Sequence, residues 1–158
     1  MMRRIVAFLV AALVMAVLGA IAHSLFVQEA WLSAASQAEG GTPAALSIGD
    51  RLAWIGHDII NMEIGAAAPA PPYGVLAGVA LLIAFLAAGL VSRFTGLREI
   101  VFAVAGAVAI FVLFTTLRST MGTVGVFGAR GAMGLGAQMV VGMIAGYLFA
   151  VLTRPRMA

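Results

Sequence analysis

The stretch IVAFLVAALVMAVLGAIAHSLFVQ, Ile5–Gln28, contains no Asp, Glu, Lys or Arg. A hydrocarbon core about 30 Å thick is crossed by roughly 20 apolar residues at 1.5 Å each, so one helix over this stretch spans a bilayer. Three more uncharged stretches follow, Ile64–Ser92, Ile100–Leu117 and Gly131–Thr153. The first of these opens on Ala68-Pro69-Ala70-Pro71-Pro72. Proline suits the first turn of a helix and not its interior, which puts the start of that span near Tyr73. The predicted spans are therefore about 5–27, 73–92, 99–117 and 132–153. Lipid offers a bare backbone no hydrogen-bond partner, and four segments are too few for a barrel, so all four are expected to be helices. The chain reads as an all-α integral membrane protein, a single membrane domain over 1–158 with its spans in an antiparallel bundle.

Composition points the same way. Of 158 residues, 63% are hydrophobic and 9% charged, against about 45–50% and 25% in soluble domains. So few charges cannot cover the surface of a water-soluble globule. Disorder needs the opposite balance, and the absence of Cys excludes disulfide scaffolds and thiol chemistry. The basic residues are all Arg and the net charge is +3. They sit scattered at span ends and form no patch interleaved with aromatics, so nucleic acid is not an expected partner.

Arg placement sets the expected orientation. With the N-terminus in the cytoplasm, Arg3, Arg4, Arg93, Arg98, Arg154 and Arg156 lie inside, and Arg51, Arg118 and Arg130 outside. This is the pattern of a bacterial-type inner-membrane protein with both termini cytoplasmic. Arg3-Arg4, the apolar run and Ala20-Ile21-Ala22 also resemble a signal peptide with a small-residue cleavage site. The run from Ile5 to Ala22 is longer than such a segment needs, and a retained helix is expected.

Residues 28–72 form the one sizeable outer loop, with a linker-like stretch from Gln37 to Pro43. Thr42-Pro43 and Ser47 with Asp50 are two possible helix starts. Ile48, Leu52, Ile55, Ile59 and Met62 then share one helical face, and Asp50, Trp54, His57 and Asn61 another. This predicts an amphipathic helix lying at the outer interface.

Small residues supply the packing signal. Gly134, Gln138, Gly142, Gly146 and Ala150 recur at four-residue steps in the last span, Gly74 and Gly78 open the second, and Ala12, Ala16 and Ala20 mark the first. Such rows let helix backbones approach closely in lipid. They serve either packing within the bundle or an interface for a homo-oligomer or another membrane subunit. Gly122, Gly125, Gly128, Gly131 and Gly134 recur every third residue, reading either as a flexible turn or as a partly re-entrant loop.

Candidate chemistry is sparse. Gln138 is placed to hydrogen-bond between helices or to hold a ligand. His23 and His57, the latter beside Asp58, suit either a wet interface or axial ligation of a metal or haem; no further ligand supports a cofactor, and none is expected. Arg118 and Arg130 flank the Gly-rich turn. They can clamp the loop through Glu29, Asp58 or Glu63, or bind an anion or lipid headgroup. No span contains a carboxylate in its interior, which disfavours paired-acid catalysis and coupled ion transport. The expectation is a non-enzymatic accessory or lipid- and partner-binding component with a platform on the periplasmic face. The alternatives are a small oligomeric transporter or channel, and an enzyme acting through His57 and Asp58.

Overall fold

In the computed structural model the described residues are 2–38, 45–64, 71–122 and 129–154. They form five helices: α1 (Met2–Ala38), α2 (Ile48–Ile64), α3 (Tyr73–Thr95), α4 (Arg98–Met121) and α5 (Ala132–Leu152). Helices α1, α3, α4 and α5 are each long and apolar enough to cross a membrane, the build of a multi-pass membrane protein. Thr42-Pro43, Glu39, Arg156 and the turn positions Gly125 and Gly128 lie outside the described residues.

Three boundaries differ from the sequence expectation. Helix α1 continues past Gln28 to Ala38, because Glu29–Ala38 holds no Gly or Pro and is rich in helix formers. At 37 residues it is about 55 Å long, well beyond a hydrocarbon core. Helix α3 runs on to Thr95 and ends where Gly96 takes φ 68°, its N–H bonding to the Ser92 carbonyl at 3.3 Å. Helix α4 passes Arg118 and stops at Gly122, φ 69°. Both stops use a left-handed residue that glycine adopts without steric cost. A charge marks the edge of the apolar stretch, and these glycines mark the end of the helix.

The packing follows one axis from the end where α1 begins, the near end, to the far end. On α1 and α5, Arg3 Nε donates to the Leu152 carbonyl and Gln138 Nε2 donates to the Gly19 carbonyl, so numbers rise on one helix as they fall on the other. Phe8 with Phe85 and Ala16 with Gly74 give the same relation for α1 and α3. Toward the near end an aromatic group fills the core, Phe85 stacking on Phe149 at 4.8 Å with Phe102 edge-on at 5.5 Å. In the middle, α4 and α5 touch backbone to backbone. A Cβ on Gly106 would strike the Gly142 carbonyl, and one on Gly146 the Phe102 carbonyl. Gly134, Gln138, Gly142, Gly146 and Ala150 are all buried. The row therefore faces the interior of this chain, the first of its two readings. Gly78 has nothing within 4 Å of a built Cβ and makes no close approach, whereas a Cβ on Gly74 would meet the Glu63 carboxylate.

Helix α2 starts at Ile48, just after Ser47. The Asp50 N–H donates to Ser47 Oγ at 3.1 Å, and Ser47 Oγ–H donates to Asp50 Oδ2 at 2.6 Å. The side turned toward the neighbouring helices carries Arg51, Trp54, Ile55, Asp58, Ile59 and Met62. The expected apolar face shares Ile55, Ile59 and Met62 with it, but Ile48 and Leu52 are exposed, at 79% and 63%. The helix is turned because Arg51 and Trp54 have partners on α1.

Candidate functional site

The far end gathers the polar side chains in two separate places. The first lies where α1, α2, α3 and α5 meet. Gln138 is 1% exposed and ties three helices together. Tyr73 Oη donates to Gln138 Oε1 at 2.8 Å, and Gln138 Nε2 donates to the Gly19 carbonyl at 2.8 Å. Gly19 has no Cβ because one would fall 2.7 Å from the Tyr73 hydroxyl. With both ends of its amide used, Gln138 acts as a bond between helices. A buried amide left unpaired would cost about 1–3 kcal/mol.

One step outward, Glu63 on α2 reaches the start of α3. Pro72 offers no side-chain cap there, and the Gly74 N–H donates to Glu63 Oε2 at 3.0 Å. A carboxylate from a different helix thus fills the capping role, with the helix dipole in its favour. Glu63 Oε1 is buried and makes no hydrogen bond among the described residues. Burial pushes the Glu63 carboxyl above the usual carboxylate range, offset in part by the Gly74 N–H.

Beyond the length of a span, α2 is fastened to the extension of α1. Arg51 Nη1 pairs with Glu29 Oε1 at 3.2 Å, and the buried Gln28 donates Nε2 to the Arg51 carbonyl and to Ser24 Oγ, both at 3.2 Å. Trp31 and Trp54 meet edge to face at 5.7 Å. His23 is half-buried in α1 within Coulombic reach of Asp58. His57 points outward, with Asn61 Nδ2 2.9 Å from its ring and its Nδ1 3.7 Å from Asp58 Oδ1. Among the described residues no group of three or more His, Asp or Glu could hold a metal ion.

The three carboxylates of the expected loop clamp have contacts on the α1–α2 side. Glu29 pairs with Arg51, Glu63 accepts from Gly74, and Asp58 sits beside His57 and His23. Arg118 forms no ion pair with any of the three among the described residues. The carboxylates lie on the α1–α2 side of the far end, and Arg118 and Arg130 on the α4–α5 side.

The second place is that α4–α5 side. A cavity of about 220 Å³ is lined by Phe114, Thr115 and Arg118 of α4 and by Ala129, Arg130, Gly131, Ala132 and Leu135 around the start of α5. Of these, Phe114 is buried and stacks on Tyr73 at 6.2 Å. The near end, by contrast, closes on itself. Arg154 Nε donates to Glu99 Oε1 at 2.7 Å, and Arg98 bonds the Thr153 hydroxyl while lying 4.9 Å over the Phe102 ring.

Several of these residues were not singled out by the sequence reading. Gln28 and Ser24 carried a readable signal. They continue the row Ala12, Ala16, Ala20 at the same four-residue step, and Ser24 and Gln28 are fully buried. Tyr73 and Gly106 carried none, since their roles depend on which helices become neighbours. No protein-family model matches the chain, and comparison with curated proteins and with solved structures finds no match.

Proposed function

We propose that the chain is a non-enzymatic, multi-pass protein of a bacterial-type inner membrane. Its four spans form an antiparallel bundle with both termini in the cytoplasm, and α1 and α2 together form a platform on the periplasmic face that binds lipid surface and partner subunits. One observation carries this reading. The part of α1 beyond a bilayer's thickness is braced by α2 through Arg51, Trp54 and Gln28, while Ile48, Leu52, Ile60 and Trp31 stay 79%, 63%, 57% and 46% exposed. A rigid extension carrying apolar side chains on its outside is suited to lie in the headgroup region, where Trp is at home, and to meet another membrane protein there.

The core favours this reading over a transporter. Ser24, Gln28 and Gln138 are the buried polar residues among those described, and each makes a hydrogen bond within the chain. The small-residue row of α5 is used inside the chain, so an oligomeric pore would need another surface. An enzyme at His57 and Asp58 would have to work from an exposed imidazole with Asn61 across its ring.

The two tryptophans of the chain are Trp31 and Trp54, so intrinsic fluorescence reports on the platform alone. In reconstituted vesicles, lipids brominated near the headgroup are expected to quench it more strongly than lipids brominated near the chain end. Leu52→Glu is expected to reduce that quenching without lowering the melting temperature. Quenching by aqueous iodide and by neither lipid would overturn the interfacial platform.

A further inference from the structure

The near end closes hydrogen bonds but leaves its charge unbalanced. The starts of α1 and α4 and the ends of α3 and α5 lie there, which places Arg3, Arg4, Arg93, Arg98 and Arg154 at one end with a single carboxylate, Glu99, among the described residues. That carboxylate is taken by Arg154 at 2.7 Å, and Arg3 donates its Nε to the Leu152 carbonyl. Residues 155–158 add Arg156 and no acidic side chain, so wherever they lie their side chains do not neutralise the excess.

Arg4 and Arg98 concentrate this charge. Arg98 is held in place by the Thr153 hydroxyl and by the Phe102 ring, 4.9 Å from its guanidinium carbon. Its Nε is buried with no hydrogen-bond partner among the described residues. Arg4, exposed at the start of α1, lies within Coulombic reach of Arg98 and has no ion pair among the described residues. Two like charges repel, the more so where one is half-buried, unless an anion lies between them. Ile5, Phe94 and Leu97, each next in sequence to one of these arginines, are exposed. A partner that fits must be anionic at its outer end and apolar beneath. A phospholipid has that build, whereas a soluble acidic segment would meet the charge and leave those side chains in water.

We propose that the near end is a binding surface for anionic phospholipid, with the phosphate ester of one lipid held between the Arg4 and Arg98 guanidinium groups. Guanidinium groups bind phosphate oxygens in bidentate pairs. Both stand at the ends of spans, and so at headgroup level whichever side of the membrane that end faces. The site therefore does not rest on the orientation of the chain or on the α1–α2 platform.

The test uses the full chain in nanodiscs of phosphatidylcholine containing one fifth phosphatidylglycerol, followed by release and native mass spectrometry. Wild-type protein is expected to retain phosphatidylglycerol in preference to phosphatidylcholine. Arg4→Gln is expected to cut that retention about fivefold, the effect of one basic residue at an anionic surface, and Arg98→Gln by at least as much. Arg98 also holds Thr153, so circular dichroism melts of the same samples separate lost binding from lost folding. Arg4→Gln is expected to melt as wild type does. Arg118→Gln, at the far end, is expected to retain as much phosphatidylglycerol as wild type. No preference between the two lipids, undiminished retention by Arg4→Gln, or an equal loss in Arg118→Gln would overturn the proposal. Two competitors, compared with chloride at matched ionic strength, identify the source of the anion. Displacement of the retained lipid by millimolar inorganic phosphate would give the site to a soluble anion. Displacement by a polyglutamate peptide would give the surface to an acidic protein. Either result sinks the lipid assignment.

Discussion

Glu63 and Gln138 do different work although both are polar residues set among apolar neighbours. Gln138 has both ends of its amide paired, so its worth is that of an interhelical hydrogen bond, about 0.6–2 kcal/mol in lipid. Tyr73→Phe removes one bond, and Gln138→Leu removes both while leaving the Tyr73 hydroxyl without a partner. Thermal melts in mild detergent are expected to show Gln138→Leu as the more damaging change, with a double variant less harmful than the sum of the two. Glu63 has one oxygen on the Gly74 N–H and one buried with no hydrogen-bond partner among the described residues. Burial raises its carboxyl above its ordinary value, so protonation favours the folded state. Its penalty is present at neutral pH and disappears as pH falls through the raised value toward 4.5. The stability of wild type relative to Glu63→Gln is therefore expected to rise as the medium is acidified over that window. Taking the difference between the two proteins removes what their other ionisable groups contribute in common. A pH-independent difference would show that burial does not perturb this carboxyl.

Between elements, the closest contact is the crossing of α4 over α5, where Gly106, Gly142 and Gly146 bring backbones together. Gly146→Leu and Gly106→Leu are expected to destabilise by at least the 1–3 kcal/mol or so typical of overpacking, because the atom in the way is backbone and cannot move aside. Gly78→Ala, where nothing lies within 4 Å of a built Cβ, is expected to be neutral. Melting temperatures in one detergent decide both, and an unchanged Gly146→Leu would mean the crossing is loose. The helical spans were legible in the sequence because uncharged runs of span length have few other uses. The buried row on α5 was legible from its four-residue step. What the step could not reveal was its partner, since Gly106 stands alone in α4. The inward side of α2 was not legible for a related reason. A count of apolar residues selects Ile48 and Leu52, while the helix is turned by Arg51 meeting Glu29 and Trp54 meeting Trp31. Those are pairings across 22 and 23 positions of chain that local periodicity does not register.

At the scale of the whole molecule, the two ends of the packed helices are unlike. The near end is closed by Arg3 on the Leu152 carbonyl, Arg98 on the Thr153 hydroxyl and Arg154 on Glu99. The far end carries the long extension of α1 with α2 on one side and the Arg-rimmed cavity on the other. This asymmetry agrees with the excess of Arg among the near-end segments, and it motivates placing the far end outside. Because the chain has no Cys, single cysteines report topology without background. The most direct measurement is labelling of Gln37→Cys, at the exposed end of α1, and of Thr95→Cys, at the exposed end of α3, with a membrane-impermeant maleimide on intact spheroplasts. The account predicts that Gln37→Cys labels at once and that Thr95→Cys labels only after the membrane is permeabilised. Labelling of Thr95→Cys from outside while Gln37→Cys is protected would contradict it.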